Sequence, residues 1–122
     1  MFKKIKKKKK SKYLNEKVKG LDGIKYDSKK EARRGAQLEL LQKAGEIKDL
    51  RRQVPFVLLE SFKDNQGNTE RGVKFYADFV YFEGKFQIIE DVKSEITIKK
   101  ADYIIKRKLF KMTYPEFIFR ET

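Results

Sequence analysis

Residues 73–82 and 85–93 are two strand-like runs separated only by Glu83-Gly84. A connection that short leaves an antiparallel hairpin as the arrangement open to them. The first run contains Phe75-Tyr76-Ala77-Asp78-Phe79-Val80-Tyr81, apolar on both faces apart from one carboxylate. A buried charge is costly unless it is paired or bound to a metal. Any fold of this chain must therefore place a two-sided strand in its interior and give Asp78 a partner.

The second run ends in Glu90-Asp91-Val92-Lys93. Strict alternation puts Ile89, Asp91 and Lys93 on one face, and Phe86, Ile88, Glu90 and Val92 on the other. With Glu83-Gly84 as the turn, Phe82 pairs with Lys85, Asp78 falls opposite Ile89, and Asp91 becomes its diagonal neighbour on the same face. Diagonal neighbours lie roughly 7 to 8 Å apart, within reach of one small divalent ion held between two carboxylates. A register one residue away would put the two acids on opposite faces. Two carboxylates beside an ammonium suit metal-assisted hydrolysis of a phosphodiester, with Mg²⁺ or Mn²⁺ taking oxygen ligands and retaining water. Lys93 can orient or deprotonate that water, or stabilise the transition state.

The remaining chain supplies the elements around this hairpin. Ser28 followed by Glu31 is a capping-box pattern, and Gly45 stops the helix that begins there, so a helix is expected over about 29–44. Its apolar positions are Ala32, Ala36, Leu38, Leu40, Leu41 and Ala44, which predicts packing on a sheet with the helix start near the surface. Val54 to Phe62 reads as a strand with Pro55 near its start, and Asp64-Asn65-Gln66-Gly67-Asn68 as a loop. A second helix is expected over about 99–112, with Ala101, Ile104, Ile105, Leu109 and Met112 on its apolar stripe. Phe117-Ile118-Phe119 is a last short strand. Near the start, Lys17-Val18-Lys19 and Ile24-Lys25-Tyr26 flank a Gly20-Leu21-Asp22-Gly23 turn signal, a short hairpin.

Charge divides the chain unevenly. The net charge is +13, but the first twelve residues hold eight lysines and no acid, so the other residues carry +5. Residues 1–12 read as a disordered basic arm, in which Lys7, Lys8, Lys9 and Lys10 are phosphate contacts, and residues 13–122 as one domain. Such a balance points to a polyanionic partner, nucleic acid first. The chain has no Cys and no His, which excludes disulfides, thiolate metal sites and imidazole chemistry. No apolar run approaches the ~20 residues of a membrane span, and no apolar stretch follows the lysines as in a signal peptide. A cytoplasmic protein with no membrane partner is expected.

These residues carry a family resemblance. Asp78, then Asp91-Val92-Lys93 on the next strand, resembles the signature of the PD-(D/E)XK nuclease superfamily, with Ala77 at the nominal Pro. The wider pattern resembles a family of short phage and prophage proteins of formerly unknown function assigned to that superfamily. It runs through Ser28-Lys29-Lys30-Glu31-Ala32-Arg33-Arg34, Gln53-Val54-Pro55-Phe56, Tyr76 to Tyr81, Glu90 to Lys93 and Lys106-Arg107-Lys108-Leu109-Phe110. The resemblance implies an α/β, restriction-endonuclease-like αβββαβ core, a mixed central sheet flanked by helices. It implies metal ligation by Asp78, Asp91 and the Val92 carbonyl, Lys93 as the catalytic lysine, and Glu31 as the first-helix acid that completes the site. The activity implied is a Mg²⁺- or Mn²⁺-dependent DNA endonuclease acting on branched or structured DNA, as Holliday-junction resolvases do, in phage recombination or replication inside a bacterial host. A homodimer would suit symmetric cutting of two strands, although no interface is specified.

Each of these residues also has a plainer reading. Asp78 can pair with Arg51 or Arg71, and Asp91 and Lys93 can be a solvated strand end. Glu31 can serve only the capping box, and Gln53 can solvate the start of a strand rather than approach the site. Of Lys106 and Lys108, one can reach phosphate while the other snorkels along the core. Glu90 has no assigned partner. At the level of function, the rivals are a non-catalytic, sequence-independent DNA-binding protein and an RNA-binding protein.

Overall fold

Ser28 opens α1 (Lys29–Lys43): its Oγ accepts a hydrogen bond from the Glu31 N–H at 3.1 Å, satisfying one of the donors a helix start leaves free. The helix closes through Gly45 at φ 83°, with the Gly45 N–H donating to the Gln42 carbonyl and the Glu46 N–H to the Leu41 carbonyl. That pair of bonds needs a left-handed residue, which glycine adopts without a Cβ penalty. The protein is described by a computed structural model that covers residues 28–122 and, for the backbone alone, residues 18, 19, 25 and 26. Within the expected N-terminal hairpin, β1 (Val18–Lys19) pairs antiparallel with β2 (Lys25–Tyr26). The basic arm, with Lys7, Lys8, Lys9 and Lys10, lies outside the described residues.

Among the described residues the main sheet has four strands: β3 (Lys48–Leu59), β6 (Val73–Glu83), β7 (Phe86–Asp91) and β8 (Ile118–Glu121), in the order β3-β6-β7-β8. The first three pair antiparallel and β8 joins β7 in parallel, so the sheet is mixed. Between β3 and β6, β4 (Phe62–Lys63) and β5 (Thr69–Glu70) form a separate ribbon, its loop tied by Asp64 Oδ1 accepting from the Gln66 and Asn68 N–H groups. After β7, a 3-10 turn at Thr97–Lys99 leads into α2 (Ala101–Thr113). In chain order the long elements run α1, β3, β6, β7, α2, β8, an α/β core of the expected αβββαβ order.

Three local expectations differ from the structure. First, β3 begins at Lys48 rather than Val54, because an edge strand pairs through its backbone on one side and tolerates polar side chains and Pro55 on the other. Second, the β6–β7 turn is Gly84–Lys85, since Glu83 pairs with Phe86; Gly84 sits at φ 62°, as the first position of a primed two-residue turn requires. Third, the buried side of each helix is rotated from the apolar stripe. In α1 the buried residues are Glu31, Gly35 and Leu38, so the helix start is interior, while Leu40 is 65% exposed. In α2 they are Tyr103 and Phe110, while Met112 is 73% exposed. Both helices dock where aromatic or polar side chains find partners on the sheet, and spacing alone does not report that.

The core has two layers, one on each face of the sheet. Leu38 of α1 packs with Ile47, Phe79, Tyr81 and Ile88, and Tyr103 and Phe110 of α2 pack with Phe75, Ala77, Val80 and Ile89. On the α2 side the rings of Phe56 and Phe110 meet edge to face at 5.1 Å between centroids, an arrangement the ring quadrupoles favour. β6 changes face between Ala77, in the α2 layer, and Phe79, in the α1 layer. β3 does the same between Leu50 and Val54, where Gln53 adopts φ 52°. β6 is apolar on both faces because a core layer covers each side of this inner strand, and Asp78 occupies the changeover.

Candidate active site

The β3–β6 register runs through Arg52–Phe79 and Val54–Ala77, which sets Gln53 opposite Asp78. Continuing the Phe79–Glu90 register by one residue sets Asp78 opposite Asp91, and β8 contributes Glu121 beside Asp91. One row across the sheet is thus Gln53, Asp78, Asp91, Glu121. Asp78 was expected opposite Ile89. The observed register is shifted by two residues, which brings the acids closer and leaves them on the same face.

Asp78 is buried and is held by two donors: Gln53 Nε2 donates to Oδ1 at 3.0 Å and the Val92 N–H to Oδ2 at 2.8 Å. These partners take the place of Arg51 and Arg71. The same Gln53 amide donates to Glu31 Oε2 at 2.9 Å, so the left-handed kink in β3 aims one side chain at two carboxylates. Glu31 is therefore both part of the α1 cap, through its backbone, and part of the site, through its carboxylate.

Asp91 is 1% exposed. Burial, and then the charge of Asp78, push its carboxyl up to about 7, against the opposing pull of Lys93. Lys93 Nζ lies 2.9 Å from Oδ2, and among the described residues no N–H or hydroxyl donor reaches Oδ1. Lys93 is thus the cation on Oδ2, and the lone pairs of Oδ1 are left available to a second cation. The Lys93 ammonium also sits 4.7 Å from the centroid of the Tyr103 ring, and the Tyr103 hydroxyl donates to Glu121. Lys93 is thereby fixed between a carboxylate and an aromatic face. Its backbone is fixed as well: its N–H donates to the Thr122 carbonyl at 2.9 Å and its carbonyl accepts from Lys30 Nζ at 2.7 Å.

Glu31, Asp78, Val92 and Lys93 line one cleft of about 220 Å³, whose rim includes Lys30 and Thr97. Lys106 is half-buried on the side of α2 that faces Lys93 and shares a neighbouring hollow with it, whereas Lys108 is exposed. The sequence reading, with Lys108 on the apolar stripe, is corrected here, because the helix is rotated onto Tyr103 and Phe110. Glu90 belongs to the other layer. Burial raises its carboxyl, but hydrogen bonds from Arg34, Tyr81 and Thr122 outweigh it and hold Glu90 below the ordinary carboxylate value. Arg34 grips both Glu90 oxygens, at 2.5 and 3.1 Å, so Glu90 ties α1 to β7.

Sequence reasoning missed Tyr103 and Lys30. Tyr103 lies seven residues before Phe110, the spacing of one helix face, which was the available signal. Lys30 carried none.

Residues 10–120 match the family described as "Protein of unknown function (DUF1064)". The chain belongs to the DUF1064 family. No curated protein and no solved structure shows significant similarity to it. In this DUF1064 protein no helix among the described residues is long and apolar enough to cross a membrane.

The donor set fits a hard divalent cation. The buried Asp91 carboxyl, whose Oδ1 has no donor among the described residues, lies against a second carboxylate, Asp78, and Mg²⁺ characteristically takes one or two carboxylates and keeps several waters. Among the described residues no three acidic, His or Cys side chains are grouped as a metal cluster. Asp78 and Asp91 are the side chains that would hold such an ion, with water completing its shell.

Proposed function

We propose that this protein is a Mg²⁺- or Mn²⁺-dependent endodeoxyribonuclease of the PD-(D/E)XK type that hydrolyses phosphodiester bonds in branched or structured DNA, in the manner of Holliday-junction resolvases, during phage recombination or replication. The observation that carries this reading is the Asp78–Asp91 pair, with the Asp91 carboxyl buried, its Oδ1 lacking a donor among the described residues and Lys93 ion-paired to its Oδ2.

A bound divalent ion would offset charge on the phosphate and lower the pKa of a coordinated water. The chain's own residues do the rest. Gln53 holds the Asp78 and Glu31 carboxylates in place, so that no reorganisation is needed when substrate arrives. Lys93, paired with Asp91 and seated over Tyr103, is a fixed cation beside the reacting phosphate, where it stabilises the negative charge that develops on the oxygens. The wall of the cleft formed by Lys30 adds positive charge for the DNA backbone.

The test is a panel of four-way junction, flap, duplex and single-stranded DNAs incubated with Mg²⁺, Mn²⁺ or chelator. Metal-dependent cleavage of the branched forms is expected. Asp78→Asn, Asp91→Asn and Lys93→Ala should lower it by more than about 100-fold, beyond the loss typical of supporting residues, while folding is retained. Undiminished cleavage in these variants would overturn the site. Salt-sensitive binding without cleavage under any metal would favour the non-catalytic DNA-binding reading instead.

A further inference from the structure

β7 ends at Asp91, so the residues of β6 that precede Asp78 have no strand beside them on that side. Continuing the hairpin register would place Tyr76 opposite Lys93, but the chain turns away there into the Thr97–Lys99 turn. What opens instead is a hollow of about 330 Å³, walled by Lys74, Tyr76, Lys93, Lys100, Tyr103 and Lys106 among others, within the size range of about 300–1,000 Å³ of ligand sites. Tyr76 is 55% exposed although its neighbours Phe75 and Ala77 are buried. Its ring stacks on no other ring among the described residues. Lys74, Lys100 and Lys106 have no carboxylate at ion-pairing distance among the described residues, although Asp102 also lines the wall. Tyr76 and Lys74 leave β6 on the face opposite Phe75 and Ala77 and border the hollow at the strand edge that β7 leaves open; an exposed ring beside ammonium groups along such an edge is the combination that holds single-stranded nucleic acid, the ring stacking a base and the cations tracking its backbone.

We infer that this hollow is a subsite for an unpaired DNA base next to the phosphate under attack, with Tyr76 as its stacking platform and Lys74, Lys100 and Lys106 as phosphate contacts. The placement of the reacting phosphate at Asp78 and Asp91 rests on the nuclease reading above. The substrate class then narrows from DNA in general to DNA with an unpaired nucleotide at a branch or bulge. A base inside an intact duplex is stacked on its neighbours and does not offer its face to Tyr76, whereas an unpaired one turns out at small cost.

Binding by the full chain, measured in chelator, separates this inference from catalysis. The probes are a duplex carrying one unpaired 2-aminopurine and the same duplex fully paired. The wild type should prefer the unpaired form by about 10-fold and quench its fluorescence, Tyr76→Ala should lose most of that preference, and Tyr76→Phe should keep it. Replacing Lys74, Lys100 and Lys106 together with Ala should reduce the salt slope of binding by about 3. An absent preference in the wild type, a preference undiminished in Tyr76→Ala, or stronger competition by single-stranded RNA would overturn the inference. If the Tyr76-dependent preference holds while no metal supports cleavage, the nuclease reading fails and the base subsite stands.

Discussion

Asp91 and Glu90 are adjacent on one strand, both are buried, and their carboxyls are driven in opposite directions. Glu90 meets Arg34, Tyr81 and Thr122, whereas Asp91 meets another acid and one ammonium. Asp91 moves from an ordinary 3.8 up to about 7 on folding, so between those values the folded chain binds more protons than the unfolded one. Stability from this group is therefore lost as pH rises through that window. Thermal unfolding in chelator should show Asp91→Asn more stable than the wild type at about pH 8 and nearly equal to it at about pH 3. A lower midpoint for the variant at the higher pH would contradict the assignment of Asp91 as a strained buried acid. The same substitution is expected to abolish cleavage, so stability and activity should part company at this residue.

At the scale of elements, α1 is anchored by polar contacts more than by its apolar stripe. Gln53 reaches its first turn at Glu31, and Arg34 reaches across to Glu90 on β7. Glu90 is completely buried and Arg34 only partly exposed, so removing one partner leaves a charge without compensation. Arg34→Ala should destabilise the fold by about 3–5 kcal/mol in urea unfolding. Adding Glu90→Gln should recover part of that loss, because the remaining side chain is then neutral. An effect near zero for the single variant would mean that apolar packing alone seats the helix.

At the scale of the whole molecule, the positive charge falls into two parts with different work. Eight of the net +13 belong to residues 1–12, a block without aromatic residues apart from Phe2 and thus suited to phosphate but not to base stacking. Among the other basic residues, Lys30 and Lys93 line the cleft that holds the Glu31 and Asp78 carboxylates. Deleting residues 1–12 should weaken binding to all DNA forms alike, lowering the slope of log affinity against log salt by at most about 7. The preference among DNA forms should be unchanged, measured as the ratio of affinities for unpaired and paired duplex. A changed ratio would show that the arm itself selects substrate.

Local spacing by itself determined the αβββαβ order, the β6–β7 hairpin and the common face of Asp78, Asp91 and Lys93. The last survived a misplaced turn because the side-chain period of a strand is two and the register moved by two residues. Only the tertiary structure decided what those side chains meet. That Gln53 is a mid-strand kink bridging Glu31 and Asp78, that Tyr103 lies under Lys93, and that Glu90 belongs to Arg34 all depend on contacts between residues 10 to 56 positions apart. Periodicity tells which face a residue occupies. It does not tell how far a helix rotates to bring a buried charge to its partner, and in this chain the cost of leaving charges unpaired overrides the apolar stripe.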